Sequence, residues 1–315
     1  LGHQVSVACP KGSTLPEGIE NIPTSDPTWD INAEAVIAWP IVRDKIWHEA
    51  EKMPGDYDII HDHTFMGWPY MAGKDHSSLR ICWTLHWYSE MSKPPPVRNP
   101  NLISLSRWMA NYWSGRLGVH VEWVHNGIEP SRYNFSEEKS DRYLFLGRIA
   151  NFKGPHEAVA VANAARVPVD IVGEVRFTGD PTYVQRVMDS TRNSTAKYVG
   201  SVSHEDKRLY LRNAKALLFP ALWDEPFGLV PIEAMACGTP VIALRKGALS
   251  EIIVHGKTGF LVDSVQEMIS LVQDNAVEDI DPETCREHVL QNFTSEKMSK
   301  AYEGLYTKIL KGEEW

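Results

Sequence analysis

The chain has 315 residues, 43% of them hydrophobic and 23% charged, enough for about two globular domains with cores of their own. A formal net charge of −9 argues against nucleic acid as the main partner. The longest apolar runs fall well short of the roughly 20 residues of a membrane-spanning helix, and no secretory leader is visible.

Leu1-Gly2-His3 reads as the end of a helix and Val5–Cys9 as a strand. Lys11–Trp29, rich in Pro, Gly, Ser and Thr, reads as a loop. Ala33–Lys52 has helical spacing. Tyr57–His61 is an apolar strand running into His61-Asp62-His63, and Leu79–Leu85 is another, ending at His86. Lys93–Pro96 is a stiff turn. Leu102–Leu105 is a strand, after which Ser106 caps a helix reaching about Trp113. Val119–Val124 is a strand closed by His125-Asn126-Gly127.

Composition turns polar around Glu129–Lys139, where a domain boundary is expected, and the alternation then restarts. Strands are expected at Tyr143–Leu146, Val169–Val172, Lys197–Val199, Leu217–Pro220, Val241–Leu244 and Phe260–Val262. Helices are expected at Pro155–Ala165, Thr182–Asp189, His204–Asn213, Gly228–Ala236 and near Ser250–Val254, with more helix at the end. Short β-rich runs alternating with helices predict α/β domains with parallel sheets, whose ligands gather at the carboxyl ends of the strands. His61, His86 and His125 fall at such ends. Cys9, Cys82, Cys237 and Cys285 form no CxxC pair and read as reduced thiols of a cytosolic protein.

Chemistry concentrates in Leu217–Gly238. A strand ends at Pro220, a loop carries Asp224 and Glu225, and a helix opening at Gly228-Leu229-Val230 carries Glu233, about two turns beyond Glu225. Free N–H groups at that helix start attract anions or sugar oxygens. Two acids beside an anion site suit a ligand both polyhydroxylated and phosphorylated, such as a nucleotide sugar. Upstream, Gly147-Arg148 ends one strand and Lys153-Gly154-Pro155 opens the next helix. Two cations there can hold a diphosphate and stabilise its departure; alternatively both are solvated surface charges. Gly173-Glu174 ends the following strand. Gly247–Glu251 and Gly256–Val262 supply a turn, a short helix and a strand beside the same region, or plain turn chemistry. His61-Asp62-His63 has no further ligand at metal spacing. His86 is either a satisfied core histidine or a cleft residue.

GRIANFKG, HNGI, EPFGLVPIEAMACGTPVIA, GALSEII and GKTGFLV, in this order and spacing, resemble family 4 retaining glycosyltransferases. The likeness covers nearly the whole chain and is densest over Val124–Asp263. It implies the GT-B fold, two Rossmann-like domains with parallel sheets facing across a cleft. The acceptor-side domain is expected over residues 1–134 and the nucleotide-sugar domain over 135–294, with 295–315 a helix crossing back. The family's first strand and its glycine-rich loop would precede Leu1, so this chain is expected to bind nucleotide but transfer poorly by itself.

Carried over position by position, the resemblance gives Arg148 and Lys153 to the donor diphosphate, Glu225 to hydroxyls of the transferred sugar and Glu233 to the ribose. The backbone from Phe227 through Gly228 and Leu229 to Val230 would touch sugar and phosphate. Gly147 and Gly173 would line the donor site, and His86 would lie near the sugar. The implied reaction is hexosyl transfer with retention and without a metal or other cofactor, with front-face attack and the leaving phosphate taking the acceptor's proton. The wording LWDEPFGL and TGFLVDSV is most similar to members using UDP-glucose. The acceptor, a small molecule, glycan or lipid, is not legible, nor is the oligomeric state. The expected location is cytoplasmic, with peripheral membrane contact if the acceptor is a lipid. The alternatives are a nucleotide-sugar-binding or regulatory module with little transfer, and a GT-B relative such as a sugar-nucleotide epimerase or a glycogen synthase.

Overall fold

A computed structural model describes residues 2–9, 17, 19–23, 57–63, 80–87, 101–175 and 181–315. The expected helix Ala33–Lys52, the turn Lys93–Pro96 and much of Lys11–Trp29 lie outside the described residues. The chain divides into two compact units, Leu1–Ile103 with Tyr306–Trp315, and Ser104–Leu305.

In the first unit, β1 (Ser6–Cys9) pairs in parallel with β2 (Glu20–Pro23), Ser6 opposite Glu20. The Ser6 hydroxyl donates to the Glu20 carboxylate at 2.7 Å. Two expectations are corrected here. Gly2 and His3 are not helical, and the stretch read as loop contains β2, whose ENIP sequence has no alternating apolar pattern to betray a strand. β3 (Ile60–Asp62) pairs in parallel with β4 (Ile81–Leu85). All five residues of β4 are buried, as its unbroken ICWTL run requires. The Trp83 N–H donates to the carbonyl of Asn101, just before β5 (Leu102–Ser104). Tyr306–Trp315 group with this unit, the Trp315 indole donating to the Leu102 carbonyl.

The second unit opens with α1 (Arg107–Leu117), where the Ser106 hydroxyl accepts from the Met109 N–H as expected of a cap. The helix runs one turn beyond the expected end, until Gly118 closes it in a left-handed conformation. Of the strand expected at Val119–Val124 only β6 (Glu122–Trp123) forms.

Six strands then build one wholly parallel sheet: β7 (Tyr143–Leu146), β8 (Val169–Val172), β9 (Ala196–Gly200), β10 (Leu217–Phe219), β11 (Val241–Leu244) and β12 (Gly259–Val262). Their order is β12-β11-β10-β7-β8-β9. The connections are α2 (Pro155–Ala165), α3 (Pro181–Thr191), α4 (His204–Asn213), α5 (Leu229–Ala236) and α6 (Leu249–Ile252). Then follow α7 (Val265–Gln273), α8 (Pro282–Asn292) and α9 (Ser295–Leu310). Tyr143, Phe145, Ile171, Leu218 and Ile242 bury one sheet face against α2 and α7 residues such as Val159, Ala162 and Met268. The chain winds outward from β7 to β9 and then returns to the other side of β7 with β10. The order reverses between β7 and β10, and the crevice at such a reversal, beyond the carboxyl ends, is where doubly wound sheets bind ligands.

Candidate functional site

Both halves of the cation-and-acid constellation meet at that reversal. After β7 the chain passes Gly147 and Arg148 into a tight turn, Asn151–Lys153. Gly154 ends the turn with φ +77°, and a side chain there would overlap the Pro220 carbonyl just after β10. This close approach, closed further by the Leu222 N–H donating to the Phe152 carbonyl at 2.9 Å, presses Lys153 against the loop that follows β10. The Lys153 ammonium lies 2.7 Å from Glu225 Oε2. The Trp223 indole N–H donates to the same oxygen at 2.8 Å, and the ammonium stands 4.7 Å above the Trp223 ring. Glu225 is buried, so this pair is shielded from water. Arg148 is exposed and packs beside Phe152, its guanidinium carbon 5.8 Å from the ring centre.

The loop between β10 and α5 is held from two sides. The Gly247 N–H donates to the Asp224 carboxylate and the Ala248 N–H to the Glu225 carbonyl, both at 2.9 Å. The Ser106 hydroxyl donates to the Pro226 carbonyl at 2.8 Å. Gly247–Glu251 is therefore the clamp on the acid-bearing loop and more than plain turn chemistry. Glu251 reaches the start of α1, accepting from the Arg107 and Trp108 N–H groups and bonding His125 Nε2 at 2.9 Å. Burial works to raise the Glu251 pKa, but the bonds from His125, Trp108 and Arg107 prevail and hold it below its ordinary value.

Gly228 begins α5 with φ +116° and no side-chain cap, leaving the N–H groups of Leu229 and Val230 at an open helix start. Phe227 is buried and Leu229 is exposed. Glu233 is the fifth residue of α5, just over one turn in. The two-turn offset expected from Glu225 shrinks because residues 225–228 are not helical. Glu233 is buried, and its Oε1 accepts from the Tyr133 hydroxyl at 2.8 Å and from the Lys207 ammonium at 2.6 Å. Its Oε2 is buried and meets no partner among the described residues. Gly147 and Gly173 end β7 and β8, their N–H groups donating to the carbonyls of Val172 and Gly200.

His86 follows β4 in the first unit. Its Nε2 lies 2.9 Å from His63 Nδ1. His61, inside β3 rather than at its end, bonds Thr84 through Nε2 at 2.7 Å and Tyr306 through Nδ1 at 2.6 Å. Burial, aided by the neighbouring imidazoles, pulls His61 down to about 3. Burial, with His86 beside it, pulls His63 to about 4, and burial also lowers His86. Among the described residues no group of three His, Cys, Asp or Glu is arranged to hold a metal ion. Among them too, no helix is long and apolar enough to cross a membrane.

Tyr133, Lys207 and Trp223 were not legible as site residues. Trp223 stands two residues from Glu225, the one available signal. Lys207 is one cation in the polar run HEDKRLYLRN, and Tyr133 lies exactly 100 positions from its partner.

Residues 1–132 match the sequence model "Glycosyltransferase Family 4" and residues 129–284 match "Glycosyl transferases group 1". The D-inositol 3-phosphate glycosyltransferase of Pseudarthrobacter chlorophenolicus is 34% identical over 145 residues, 44% of this chain and 32% of that one. Across the first curated relatives the match spans between 32% and 58% of the relative's own length. Sucrose-phosphate synthase from Thermosynechococcus elongatus superposes with a TM-score of 0.77 at 20% identity, over 99% of this chain and 90% of that one. HepE of Anabaena, solved in complex with UDP-glucose, gives a TM-score of 0.66 at 19% identity over 91% and 86% of the two chains. These likenesses establish the fold, GT-B, as the motifs implied.

Proposed function

From a chain whose two halves match the two models of such enzymes, and which those matches support as a family 4 glycosyltransferase, we propose that the activity is retaining transfer of a hexose from a nucleotide diphosphate sugar, with UDP-glucose the favoured donor. One observation carries the reading: the shielded Lys153–Glu225 pair at the reversal between β7 and β10, beside the open start of α5. A cation and an acid in contact, both mostly out of water, form a site that a ligand bearing both phosphate and hydroxyl groups can enter by exchange. The phosphate takes the Lys153 ammonium and sugar hydroxyls take the Glu225 carboxylate.

In this reading Lys153 and Arg148 hold the diphosphate and stabilise its charge as the anomeric bond breaks, in place of a divalent metal. The N–H groups of Leu229 and Val230 add donors to the same charge. Gly147 and Gly173 line the donor site with backbone; a side chain at Gly173 would collide with the Gly147 carbonyl and push that strand end away. Glu225 orients the hexose and Glu233 takes the ribose. His86 contributes a neutral imidazole on the first unit, suited to hydroxyl groups. Phe227 and Gly228 shape the loop under the sugar. The acceptor attacks from the face the diphosphate leaves, and the leaving phosphate takes its proton. The protein is assigned to the cytoplasm, in peripheral contact with a membrane where the acceptor is a lipid.

Thermal unfolding with UDP-, GDP- and ADP-sugars ranks the donors, since a ligand bound only by the folded state raises the midpoint. UDP-glucose is expected to shift it most. Anomeric analysis of the product then tests retention, and an inverted product rules that mechanism out.

A further inference from the structure

The two oxygens of Glu233 are provisioned unequally. Oε1 takes both the Tyr133 hydroxyl and the Lys207 ammonium, and Oε2 takes nothing among the described residues although it is buried. The backbone beneath is fixed, since Pro231 through Ala236 are all buried. Side-chain rotation alone decides where Oε2 points, and the two donors on Oε1 set that rotation. Those donors are anchored in turn. Arg286 donates to the Tyr133 carbonyl at 2.7 Å and to the Pro130 carbonyl at 3.1 Å. Lys207 sits in the first turns of α4, whose start is capped by Ser203 accepting from the Asp206 N–H.

We propose that Tyr133 and Lys207 are positioning residues that saturate one oxygen of Glu233 and hold the other ready for the vicinal hydroxyls of a nucleotide's ribose. The charge balance selects that ligand group. Lys207 already compensates the carboxylate, so a second cation would be surplus there. A neutral O–H donor completes the buried oxygen's hydrogen bonding without adding charge. The two anchors thus discriminate ribose from deoxyribose whatever the base. The inference rests on the nucleotide-sugar reading above.

The test is calorimetric binding of UDP, GDP and ADP, each beside its 2′-deoxy counterpart, to the wild-type chain and to Tyr133→Phe, Lys207→Met and Lys207→Arg. The wild type is expected to prefer the ribonucleotide by about tenfold or more, the scale of one hydrogen bond to a charged group. Tyr133→Phe and Lys207→Met are expected to narrow that preference to about threefold or less, and Lys207→Arg to restore part of it. A fault confined to folding would weaken ribo- and deoxyribonucleotides alike and leave the ratio untouched. A ratio unchanged in both Tyr133→Phe and Lys207→Met overturns the positioning role while leaving the nucleotide reading standing. Failure of the wild type to bind any of the three diphosphates overturns the nucleotide reading and this inference with it.

Discussion

The strand ends of the two units carry opposite electrical equipment. In the first unit, β3 and β4 lead to His61, His63 and His86, imidazoles bonded to one another, to Thr84 and to Tyr306. Burial keeps them neutral. In the second unit, β7 and β10 lead to Lys153 against Glu225, and α5 carries Glu233 against Lys207. An α/β unit places its functional groups at the same kind of position in both cases. What differs is whether those groups are fixed charges or neutral donors and acceptors. Fixed charge suits a departing diphosphate, whereas neutral imidazoles suit hydroxyl groups.

The largest test of that contrast is Lys153→Ala. Losing the cation should lower kcat by about 100- to 1,000-fold, the scale of removing one preorganised donor from developing charge. Glu225 keeps the Trp223 indole, so the loss of folding stability in urea should be much the smaller effect. A kcat equal to the wild type would remove the leaving-group role of the second unit's charges.

Next in size is the response of the first unit to acid. His61 at about 3 and His63 at about 4 compare with an ordinary value of 6.5. Below pH 6.5 the unfolded chain takes up protons that the folded chain refuses. This contribution to stability is therefore complete above pH 6.5 and drains away as pH falls towards 4, at roughly 1.4 kcal/mol per pH unit for each histidine. Denaturant unfolding between pH 7 and pH 4 should show the slope, and His61→Gln should reduce it by roughly a third to a half, His63 and His86 supplying the rest. A flat profile would mean that these imidazoles are not held neutral, and the contrast between the units would fail.

The pattern of legibility follows the same physics. Tyr143–Leu146 and Val241–Leu244 are continuous apolar runs and Val169–Val172 is apolar but for Asp170; all three are closed by Gly or a charge, and each forms a strand with the expected ends. Glu20–Pro23 is a strand without that signature, recognisable only once paired with Ser6–Cys9. Lys153 and Glu225 stood out because a glycine or proline follows each, and Glu233 because it is the second acid, eight positions beyond Glu225, on the helix that opens at Gly228. Lys207 and Tyr133 carry no such mark. Their significance is a contact made across 26 and 100 positions, which no local spacing encodes.

Gly247→Ala probes the clamp. Gly247 has φ +56°, and a side chain there would overlap the backbone of Glu225. The substitution should cost about 1–3 kcal/mol of stability from backbone strain. It should also shift the acid-bearing loop and shrink the thermal shift given by the donor. Wild-type donor stabilisation in a folded Gly247→Ala chain would show that the loop does not depend on its clamp.

The finest distinction concerns Trp223. Its indole N–H shares Glu225 Oε2 with Lys153, while its ring lies beneath the ammonium. Trp223→Phe deletes the hydrogen bond and keeps an aromatic face for the cation. A hydrogen bond to a carboxylate is worth about 1.5 kcal/mol or more, roughly a tenfold loss in kcat/KM. If the indole aims Glu225 at sugar hydroxyls, that loss should vanish when free nucleoside diphosphate is bound in place of the nucleotide sugar, because the diphosphate needs Lys153 and not Glu225. Equal loss for both ligands would instead place Trp223 with the phosphate-binding cations.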